Sequence, residues 1–356
     1  MTTTNIDQQR MEAFVGKVLA DTSAFTTTLL AGIGDRLGLW KDLAGRGPAT
    51  SAQLAERTGI SERYAREWLS AMTASGYLEH DEDTGSFTLP GEHVPAVAEE
   101  DGPLFFGGTW QMTRGMSTVF DQLLEAFRTG GGVSQSAYHP DMWDGMERFT
   151  AGWFENHLVP IWIPAMPEVE AALRRGARVA DVGCGRGRGL IRLAEAYPDS
   201  TYVGYDSFAP TVAAAQANAD AAGVSDRVRF EHLDASSKLP GTFDVVFTFD
   251  VVHDAVDPRG LLRSIRSSLA PDGSYVCLDI NCSAHLHENA GPLGSLFLGC
   301  STLYCMTTSL ADGGEALGAI GLHPAKLDEL AAEAGFNSVH RVDLENAFNN
   351  LYELRC

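Results

Sequence analysis

One stretch, VADVGCGRGRG at residues 179–189, limits the possible folds more than any other part of the sequence. An apolar strand ends at Asp181, a glycine-rich turn follows, and a helix then begins. The turn contains Gly183, Gly185 and Gly187. Glycine accepts left-handed backbone conformations and lets a ligand approach closely, so the stretch predicts a ligand-binding strand–loop–helix unit. A dinucleotide fingerprint would need glycine where this chain has Arg188, which disfavours a nicotinamide cofactor.

Strands alternating with helices continue to the end of the chain. Buried parallel strands joined by helices are typical of an open α/β sheet, and the last two strands read as an antiparallel pair. The predicted strands are Arg178–Val182, Thr201–Tyr205, Val228–His232, Val245–Phe249, Ser274–Ile280, Ser338–Asp343 and Asn349–Arg355. The predicted helices between them are Gly189–Ala196, Pro210–Ala222, Pro258–Leu269 and Pro324–Ala334.

Length, composition and charge narrow the class of protein. A chain of 356 residues with 44% hydrophobic and 21% charged residues is typical of a globular protein with two domains. The formal net charge of −21 opposes binding to nucleic acid or anionic membranes, so we expect a small-molecule partner, no nucleic acid and no membrane. No apolar run approaches the ~18 residues of a membrane helix, and the N-terminus does not resemble a secretion signal. Six cysteines without C-x-x-C spacing favour reduced thiols and a cytoplasmic location.

The N-terminal region predicts a winged helix-turn-helix. A long helical pattern covers residues 7–38, a short helix capped by Ser51 ends at Gly59, and a second helix begins at Ser61. An acidic turn between two short apolar runs predicts a β-hairpin over residues 77–89. The second helix mixes arginines with glutamates, whereas a DNA-reading helix needs a positive face, so DNA binding is disfavoured.

Two regions lie outside these patterns. Residues 100–175 are rich in aromatic side chains and predict several helices, and residues 283–322 interrupt the strand–helix alternation. A long insertion at that place predicts a cover over a site. Most aromatic residues in such regions form core, but some could line an acceptor pocket. The candidate pocket residues are Trp110, Tyr138, Phe297 and Tyr304.

The glycine turn and three later elements resemble class I S-adenosylmethionine-dependent methyltransferases. D-V-G-C-G-R-G resembles motif I of that family, and Asp206 in VGYDS resembles its partner acid at the end of the next strand. FEHLDAS at residues 230–236 and FDVVFTFDVVHD at residues 243–254 continue the resemblance in the family's order. It implies an α/β fold with a Rossmann-like seven-stranded methyltransferase sheet, and a mostly helical winged-helix domain before it.

The resemblance also implies S-adenosylmethionine as the cofactor, bound beyond the carboxyl ends of the strands. The glycine turn would admit its methionine and ribose portions, Asp206 would accept hydrogen bonds from the ribose, and Asp234 with Ala235 would bind the adenine. The implied cofactor residues are Asp181, Gly183, Gly185, Gly187, Asp206, Ser207, Asp234, Ala235, Phe249, Asp250 and His253.

The N-terminal region resembles the dimerisation domain of plant phenolic and bacterial small-molecule methyltransferases. Actinobacterial proteins, mycobacterial ones among them, are similar throughout, including STLYCMTTSL at residues 301–310. The resemblance implies a homodimer through residues 1–99, a helical linker and pocket cover over 100–175, and a cofactor-binding domain over 176–356 with residues 283–322 as an active-site insertion. The implied reaction is in-line methyl transfer to an oxygen, nitrogen, sulfur or carbon atom of a small molecule.

The adjacent His253 and Asp254 are the predicted catalytic residues. In phenolic O-methyltransferases the corresponding segment reads H-D-W-x-D-E-H, and its last histidine is the general base. Arg259 occupies that position here, which weakens the prediction of a phenolic acceptor. Three roles stay open for His253: part of the cofactor site, an acid–base group, or a metal ligand.

Two other functions stay open. Related α-keto acid C-methyltransferases bind iron with histidines from such regions, so the candidate ligands are His253, His285 and His287, although no metal is the primary prediction. A winged helix joined to a cofactor-binding domain would also suit a cofactor-sensing transcriptional regulator, which salt-sensitive DNA binding would reveal.

Overall fold

The computed structural model describes residues 6–356, so the start of the predicted residue 1–99 domain lies outside the described part. The chain divides into two compact units. Unit 1 comprises the chain up to Arg114 together with Asp144–Gly152. Unit 2 comprises Gly115–Trp143 together with Trp153–Cys356.

Unit 1 contains the predicted winged helix-turn-helix. Its elements are α1 Gln8–Arg36, α2 Leu39–Arg46, α3 Ser51–Thr58, α4 Glu62–Ala74, β1 Glu79–Asp81, β2 Ser86–Thr88, a 3₁₀ turn at Gly91–His93, and α5 Val94–Val97. The cap of α3 is Thr50 rather than the predicted Ser51: Thr50 and Gln53 exchange side-chain and backbone hydrogen bonds in a capping box. Gly59 ends α3 in a left-handed conformation, as predicted.

Helix α1 joins the core of unit 1 only through its C-terminal half. The indoles of Trp40 and Trp68 pack edge to face at 4.6 Å and donate to the carbonyls of Ala31 and Leu30. Gly34 is required there, because a Cβ would lie 2.4 Å from the Trp68 ring. Another face of α1 is apolar and exposed along most of the helix, and it is formed by Met11, Phe14, Val15, Val18, Leu19, Phe25, Leu29 and Ile33.

Unit 2 is built on a seven-stranded sheet. Its strands are β3 Arg178–Val182, β4 Thr201–Asp206, β5 Val228–His232, β6 Phe243–Phe249, β7 Leu269–Ile280, β8 Ser338–Val342 and β9 Asn349–Arg355. The order is β5-β4-β3-β6-β7-β9-β8, and only the β9 pairings are antiparallel. The predicted Rossmann-like sheet with a reversed last strand is therefore confirmed.

Helices cover both faces of this sheet. Those of the second half are α10 Arg188–Ala196, α11 Ala209–Ala222, α12 Pro258–Ser268 and α15 Pro324–Ala334. The helices that precede the sheet in the chain are α6 Gly107–Ser117, α7 Phe120–Thr129, α8 Asp141–Trp153, a π-helix at Phe154–Trp162 and α9 Pro167–Arg175, with a 3₁₀ turn at Gln135–Ala137. Most of α6 and α8 belongs to unit 1. From β3 the chain adds β4 and β5 on one side of the sheet, and it then adds β6 and β7 on the other side. In such a sheet the ligand crevice lies at this change of direction, beyond the carboxyl ends of the strands.

The insertion is helical rather than an irregular loop. After a 3₁₀ turn at Leu286–Asn289 come α13 Pro292–Cys300, a π-helix at Ser301–Cys305 and α14 Met306–Ala311. Together they form a helical segment, Pro292–Ala311, long and apolar enough to cross a membrane, although no such run was predicted from the sequence. Ser309 of this segment bonds within unit 2: it donates to the carbonyl of Ala255, and its Oγ accepts from the amide of Ala316.

Candidate active site

The glycine loop between β3 and α10 is packed at its ends and open in the middle. Gly183, Gly185 and Gly187 all have positive φ, at 72°, 52° and 79°. A Cβ would lie 2.4 Å from Val251 at Gly183 and 2.4 Å from Phe230 at Gly187. At Gly185 nothing lies within 4 Å of the Cβ position, so the loop leaves room for a ligand there.

Asp181, the next-to-last residue of β3, lies beside this loop with an unsatisfied carboxyl oxygen. The residue is 2% exposed, and its Oδ1 has no hydrogen-bond partner among the described residues. Burial raises the pKa of Asp181 well above its usual value, and the Asp206 carboxylate raises it further. An unpaired buried carboxylate is costly, so Asp181 is suited to a cationic ligand or a hydrogen-bond donor.

Asp206 ends β4 and supports the same loop. Its Oδ2 accepts from the amide of Gly185 at 2.9 Å, and its Oδ1 accepts from the amide of Phe208 at 2.8 Å. Burial raises the pKa of Asp206, although these two amide hydrogen bonds act against the shift. Each oxygen keeps a lone pair, so the carboxylate can still accept hydrogen bonds from ligand hydroxyls.

The predicted adenine residues lie after β5. Asp234 is exposed, and its Oδ1 accepts from the amide and the hydroxyl of Ser236, at 2.9 and 2.7 Å. The neighbouring Ala235 is buried. Ser207 is exposed, and its carbonyl accepts from His232 Nε2 at 2.9 Å.

Phe249 ends β6, and Asp250 follows it. The Phe249 ring packs edge to face on Phe154, with centroids 5.1 Å apart. Asp250 has a positive φ of 55°, and its Oδ1 accepts from Asn349 Nδ2 at 2.6 Å. Burial raises the pKa of Asp250, and the nearby Asp279 carboxylate adds to the shift.

His253 forms a buried ion pair with Asp279, at the end of β7. Nδ1 of His253 lies 2.7 Å from Asp279 Oδ1, and the two residues are 3% and 1% exposed. Asp279 also accepts from the amides of Ile280 at 2.8 Å and Val252 at 3.1 Å. Burial alone would lower the pKa of His253, but Asp279 outweighs it and raises the pKa well above the usual value.

Asp254 and Cys305 complete a cluster around this histidine. One potential ligand atom from each of His253, Asp254 and Cys305 lies within 4.8 Å of the others. Burial raises the pKa of Asp254 to about 6, with His253 acting against the shift and Asp279 adding to it. Burial also raises the pKa of the Cys305 thiol, against the effect of His253. A buried carboxyl with a pKa of about 6 can exchange protons near neutral pH, so Asp254 suits acid–base chemistry.

Three of the predicted pocket residues belong to unit 2. The rings of Tyr138 and Tyr304 pack edge to face at 5.3 Å. Tyr304 OH accepts from Gln135 Nε2 at 2.9 Å, and Phe297 packs against Phe348 at 6.1 Å. Trp110 lies instead in the core of unit 1.

Arg259 forms ion pairs instead of occupying the place of a base. Its guanidinium pairs with Glu315 at 3.2 Å and Glu329 at 3.1 Å, and with Glu333. Arg259 occupies the position of the general base in phenolic O-methyltransferases. Here its ion pairs link α12 to α15 and to Glu315 near the end of the insertion.

The structure does not bring the three candidate metal-binding histidines together. His285 and His287 are exposed, with ring centroids 5.9 Å apart. Among residues 6–356 the two ligand groups that could hold a metal are His253, Asp254 and Cys305, and Asp250, His253 and Asp279. The second group includes an Asp–His pair that is already hydrogen-bonded.

Sequence reasoning missed Asp279, Cys305 and Asn349. Asp279 carried a usable signal, since it ends an apolar strand as Asp181 and Asp206 do. Cys305 lies within a helix of the insertion, and Asn349 reaches Asp250 only through the antiparallel pairing of β9 with β7. No local pattern marks those two residues.

Two parts of the chain match known domain families. Residues 25–98 match the family described as the Rv2258c-like winged HTH domain, and residues 180–275 match the methyltransferase domain. The predicted order, a winged helix followed by a methyltransferase domain, is therefore confirmed.

Individual relatives agree with this domain content. A 3-hydroxy-5-methyl-1-naphthoate 3-O-methyltransferase of Streptomyces sahachiroi is 28% identical over 78% of this chain and 79% of its own length. An uncharacterised Synechococcus protein is 37% identical over 27% of this chain, but the match spans only 24% of that protein. Human N-acetylserotonin methyltransferase in complex with SAM shares the fold, with a TM-score of 0.70, 16% identity and 99% coverage of both chains.

Proposed function

We propose that this chain, a winged-helix protein with a methyltransferase domain, transfers a methyl group from S-adenosylmethionine to a small-molecule acceptor. One observation carries the proposal: Asp181 keeps an unpartnered buried oxygen beside a loop that is open at Gly185. A ligand with a positive charge and hydroxyl groups fits this site. The Streptomyces relative, a methyltransferase by name, supports the same reaction.

The residues at the strand ends would hold the cofactor. We assign Asp206 to the ribose hydroxyls, Asp181 to the cationic methionine portion, and Asp234 with the Ala235 amide to the adenine. Gly183 and Gly187 shape the loop, while Ser207, Phe249 and Asp250 flank it. When bound, S-adenosylmethionine supplies an electrophilic methyl group on a sulfonium sulfur.

His253 and Asp254 would act on the acceptor. Methyl transfer needs the nucleophile held in line with the breaking bond and water excluded. We assign His253 and Asp254 as the acid–base groups that take the proton of an acceptor hydroxyl; the carboxylate that orients His253 is Asp279. The O-methyltransferase relative favours oxygen as the accepting atom.

Aromatic residues would line the acceptor pocket. Tyr138, Tyr304 and Phe297 of unit 2 are the assigned lining residues; Trp110 is not assigned, because it packs in the core of unit 1. The helical insertion 283–322 would cover this pocket, within a cofactor-binding domain of residues 176–356.

We also propose a homodimer through the winged-helix domain. The exposed face of α1 includes Phe14 at 65%, Val15 at 61% and Leu19 at 70% exposure, and contiguous apolar faces of this kind mark protein interfaces. A second copy of α1 is the simplest cover for a face carried on a single helix. Leu19→Glu should convert the dimer to a monomer in sedimentation equilibrium; a wild-type monomer would refute the assignment.

The six free cysteines suit a cytoplasmic location.

The regulator hypothesis is less well supported. In α4, Arg63 pairs with Glu67, and Arg66 pairs with Glu62 at 2.6 Å. These ion pairs neutralise the helix that would enter the DNA groove. Salt-sensitive DNA binding by the pure protein would revive this hypothesis.

Metal-assisted C-methylation of an α-keto acid is the second candidate function. The group of His253, Asp254 and Cys305 favours it, because imidazole, carboxylate and thiolate are all ligands of transition metals. Metal analysis of the purified protein, followed by activity measurements after chelation, separates the two. Activity that survives chelation excludes this candidate.

The direct test is to supply methyl-labelled cofactor and a metabolite extract to the protein and to identify the labelled product. His253→Ala should abolish labelling but retain cofactor affinity, with Ala substitution of the exposed His285 as the control. Absence of any labelled product, together with absence of cofactor binding, would refute the proposed function.

A further inference from the structure

The turn that precedes β9 is attached to the end of β7. Asn346 Oδ1 accepts from the amides of Phe348 at 2.8 Å and Asn349 at 3.2 Å. The amide of Asn281, which follows β7, donates to the carbonyl of Phe348 at 2.8 Å. β9 begins at Asn349 and runs antiparallel to β7, so this turn lies at the carboxyl end of β7, on the same edge of the sheet as the glycine loop.

Asn349 is buried with one amide atom unused. The residue is 3% exposed, and its Nδ2 lies 2.6 Å from Asp250 Oδ1. A carboxylate accepts hydrogen bonds, so the amide nitrogen is the atom that faces Asp250. Asn349 Oδ1 has no hydrogen-bond partner among residues 6–356. A buried acceptor without a donor is costly, so this oxygen is a candidate contact for a ligand that donates a hydrogen bond.

Asp250 provides a second acceptor beside this amide. Its φ of 55° is a left-handed conformation that residues with a Cβ rarely adopt, and such strain is concentrated at ligand sites. Burial raises the pKa of Asp250 to about 7, and the Asp279 carboxylate adds to the shift, so a ligand that donates to this carboxyl would favour its ionised form. An amino group has more than one hydrogen to donate and therefore matches two neighbouring acceptors.

Half-buried aromatic rings lie beside this pair. The Phe348 ring packs on Trp153 and on Phe297, with centroids 5.6 and 6.1 Å apart, and all three residues are half-buried. Trp153 packs against the core cluster that contains Leu351, which shares its face of the sheet with Asn349. Aromatic side chains next to a few fixed polar groups suit a planar ligand with a polar substituent.

The strand order separates this pair from the proposed ribose and adenine residues. β4 and β5, which precede those residues, lie on one side of β3, whereas β6, β7 and β9 lie on the other side. Asn349 is therefore on the side of the sheet that a cofactor bound over β3, β4 and β5 would leave to the acceptor.

On the basis of the proposed function, we propose that Asn349 and Asp250 determine specificity by binding an amino group of the acceptor, and that the acceptor is an aromatic molecule that carries this amino group in addition to the accepting atom. The amino group donates to Asn349 Oδ1 and to the Asp250 carboxylate, and the ring lies against Phe348. Asp250 would repel a carboxylate or phosphate substituent at the same place.

The first experiment compares probes that are matched in size. The three aminophenols and the three cresols differ by an amino group in place of a methyl group. Each is titrated into the full-length protein labelled with ¹⁵N-asparagine, and the amide spectra give its Kd. At least one aminophenol should bind about tenfold more tightly than the cresol with the same substitution pattern, because it gains a hydrogen bond to a charged group. Equal affinities in every matched pair would overturn the inference.

The second experiment tests the two residues. In Asn349→Val the preference for the aminophenol should disappear. Asn350→Val is the matched control, because Asn350 is equally buried and also has unpartnered amide atoms, but its side chain lies on the opposite face of β9. Asn350→Val should keep the preference; an equal loss in both variants would contradict the assignment.

Asp250→Asn provides a second variant should Asn349→Val fail to fold. Asparagine has the size of aspartate and accepts a positive φ, so only the charge is lost. The preference for the aminophenol should fall severalfold, and an undiminished preference would count against the inference. These titrations need neither cofactor nor methyl transfer: a retained preference without any labelled product would refute the proposed function alone.

Discussion

Asp181 and Asp279 make an instructive comparison, because both are buried acids at the carboxyl ends of strands in one sheet. Asp279 has its two oxygens engaged by two amides and the imidazole of His253. Asp181 has an oxygen with no partner among the described residues. A satisfied buried acid stabilises the structure around it, whereas an unsatisfied buried oxygen is a candidate ligand contact.

The largest effect is expected where the satisfied acid is removed. Asp279→Ala leaves His253 without its partner in a buried position, and breaking a buried ion pair costs about 3–5 kcal/mol. The free energy of unfolding, measured by urea denaturation, should fall by that amount. The exposed Asp272→Ala is the control; an equal loss in both variants would mean that the ion pair contributes nothing specific.

Removing the unsatisfied acid should not lower the stability of the protein, in contrast to removing Asp279. Asp181→Asn replaces a carboxyl whose ionised form is disfavoured by burial and by Asp206, so the ligand-free protein should be at least as stable as wild type at neutral pH. The same variant should bind S-adenosylmethionine more weakly, because the charge that the cofactor neutralises is gone. Destabilisation of the ligand-free Asp181→Asn protein would show that Asp181 is satisfied after all.

A smaller change in the free energy of unfolding is expected when the pH is varied. Burial raises the pKa of Asp254 to about 6, so the folded protein holds this proton more tightly than the unfolded chain does. The free energy of unfolding should therefore fall as pH rises from the unfolded value, ~4, through 6. The raised pKa of His253 acts in the same direction at higher pH, since its contribution is lost as pH rises through the folded value. Thermal unfolding across this range should show a shallower slope in Asp254→Asn; an unchanged slope would contradict the shift.

The smallest effect is expected at Arg259. Its pairs with Glu315, Glu329 and Glu333 are partly exposed, and exposed ion pairs contribute little. Arg259→Ala should leave methyl-transfer kcat/KM unchanged and lower Tm only slightly. A loss of activity as large as that of His253→Ala would give Arg259 a place in the chemistry.

The sequence alone predicted those structural features that depend only on neighbouring residues. β3, β5, β9 and α15 have the predicted boundaries, because each is a short periodic run with clear end signals. Gly183, Gly185 and Gly187 have the positive φ expected of a tight turn. The cofactor half of the site rests on such local signals.

The acceptor half depends on contacts between distant parts of the chain. Asp279 reaches His253 across 26 positions, and Asn349 reaches Asp250 across 99. Such pairs follow from sheet order and register, which one sequence does not specify. Cys305 meets them only because the insertion is helical, and that fold was not predicted.

Calorimetric titration of S-adenosylmethionine into three proteins tests the central claim most directly. We predict that wild type binds, that Asp206→Ala loses at least about a hundredfold in affinity because two charge-assisted hydrogen bonds are gone, and that His253→Ala binds as wild type does. Unchanged affinity of Asp206→Ala, or no binding by the wild-type protein, would contradict the assignment of this site to the cofactor.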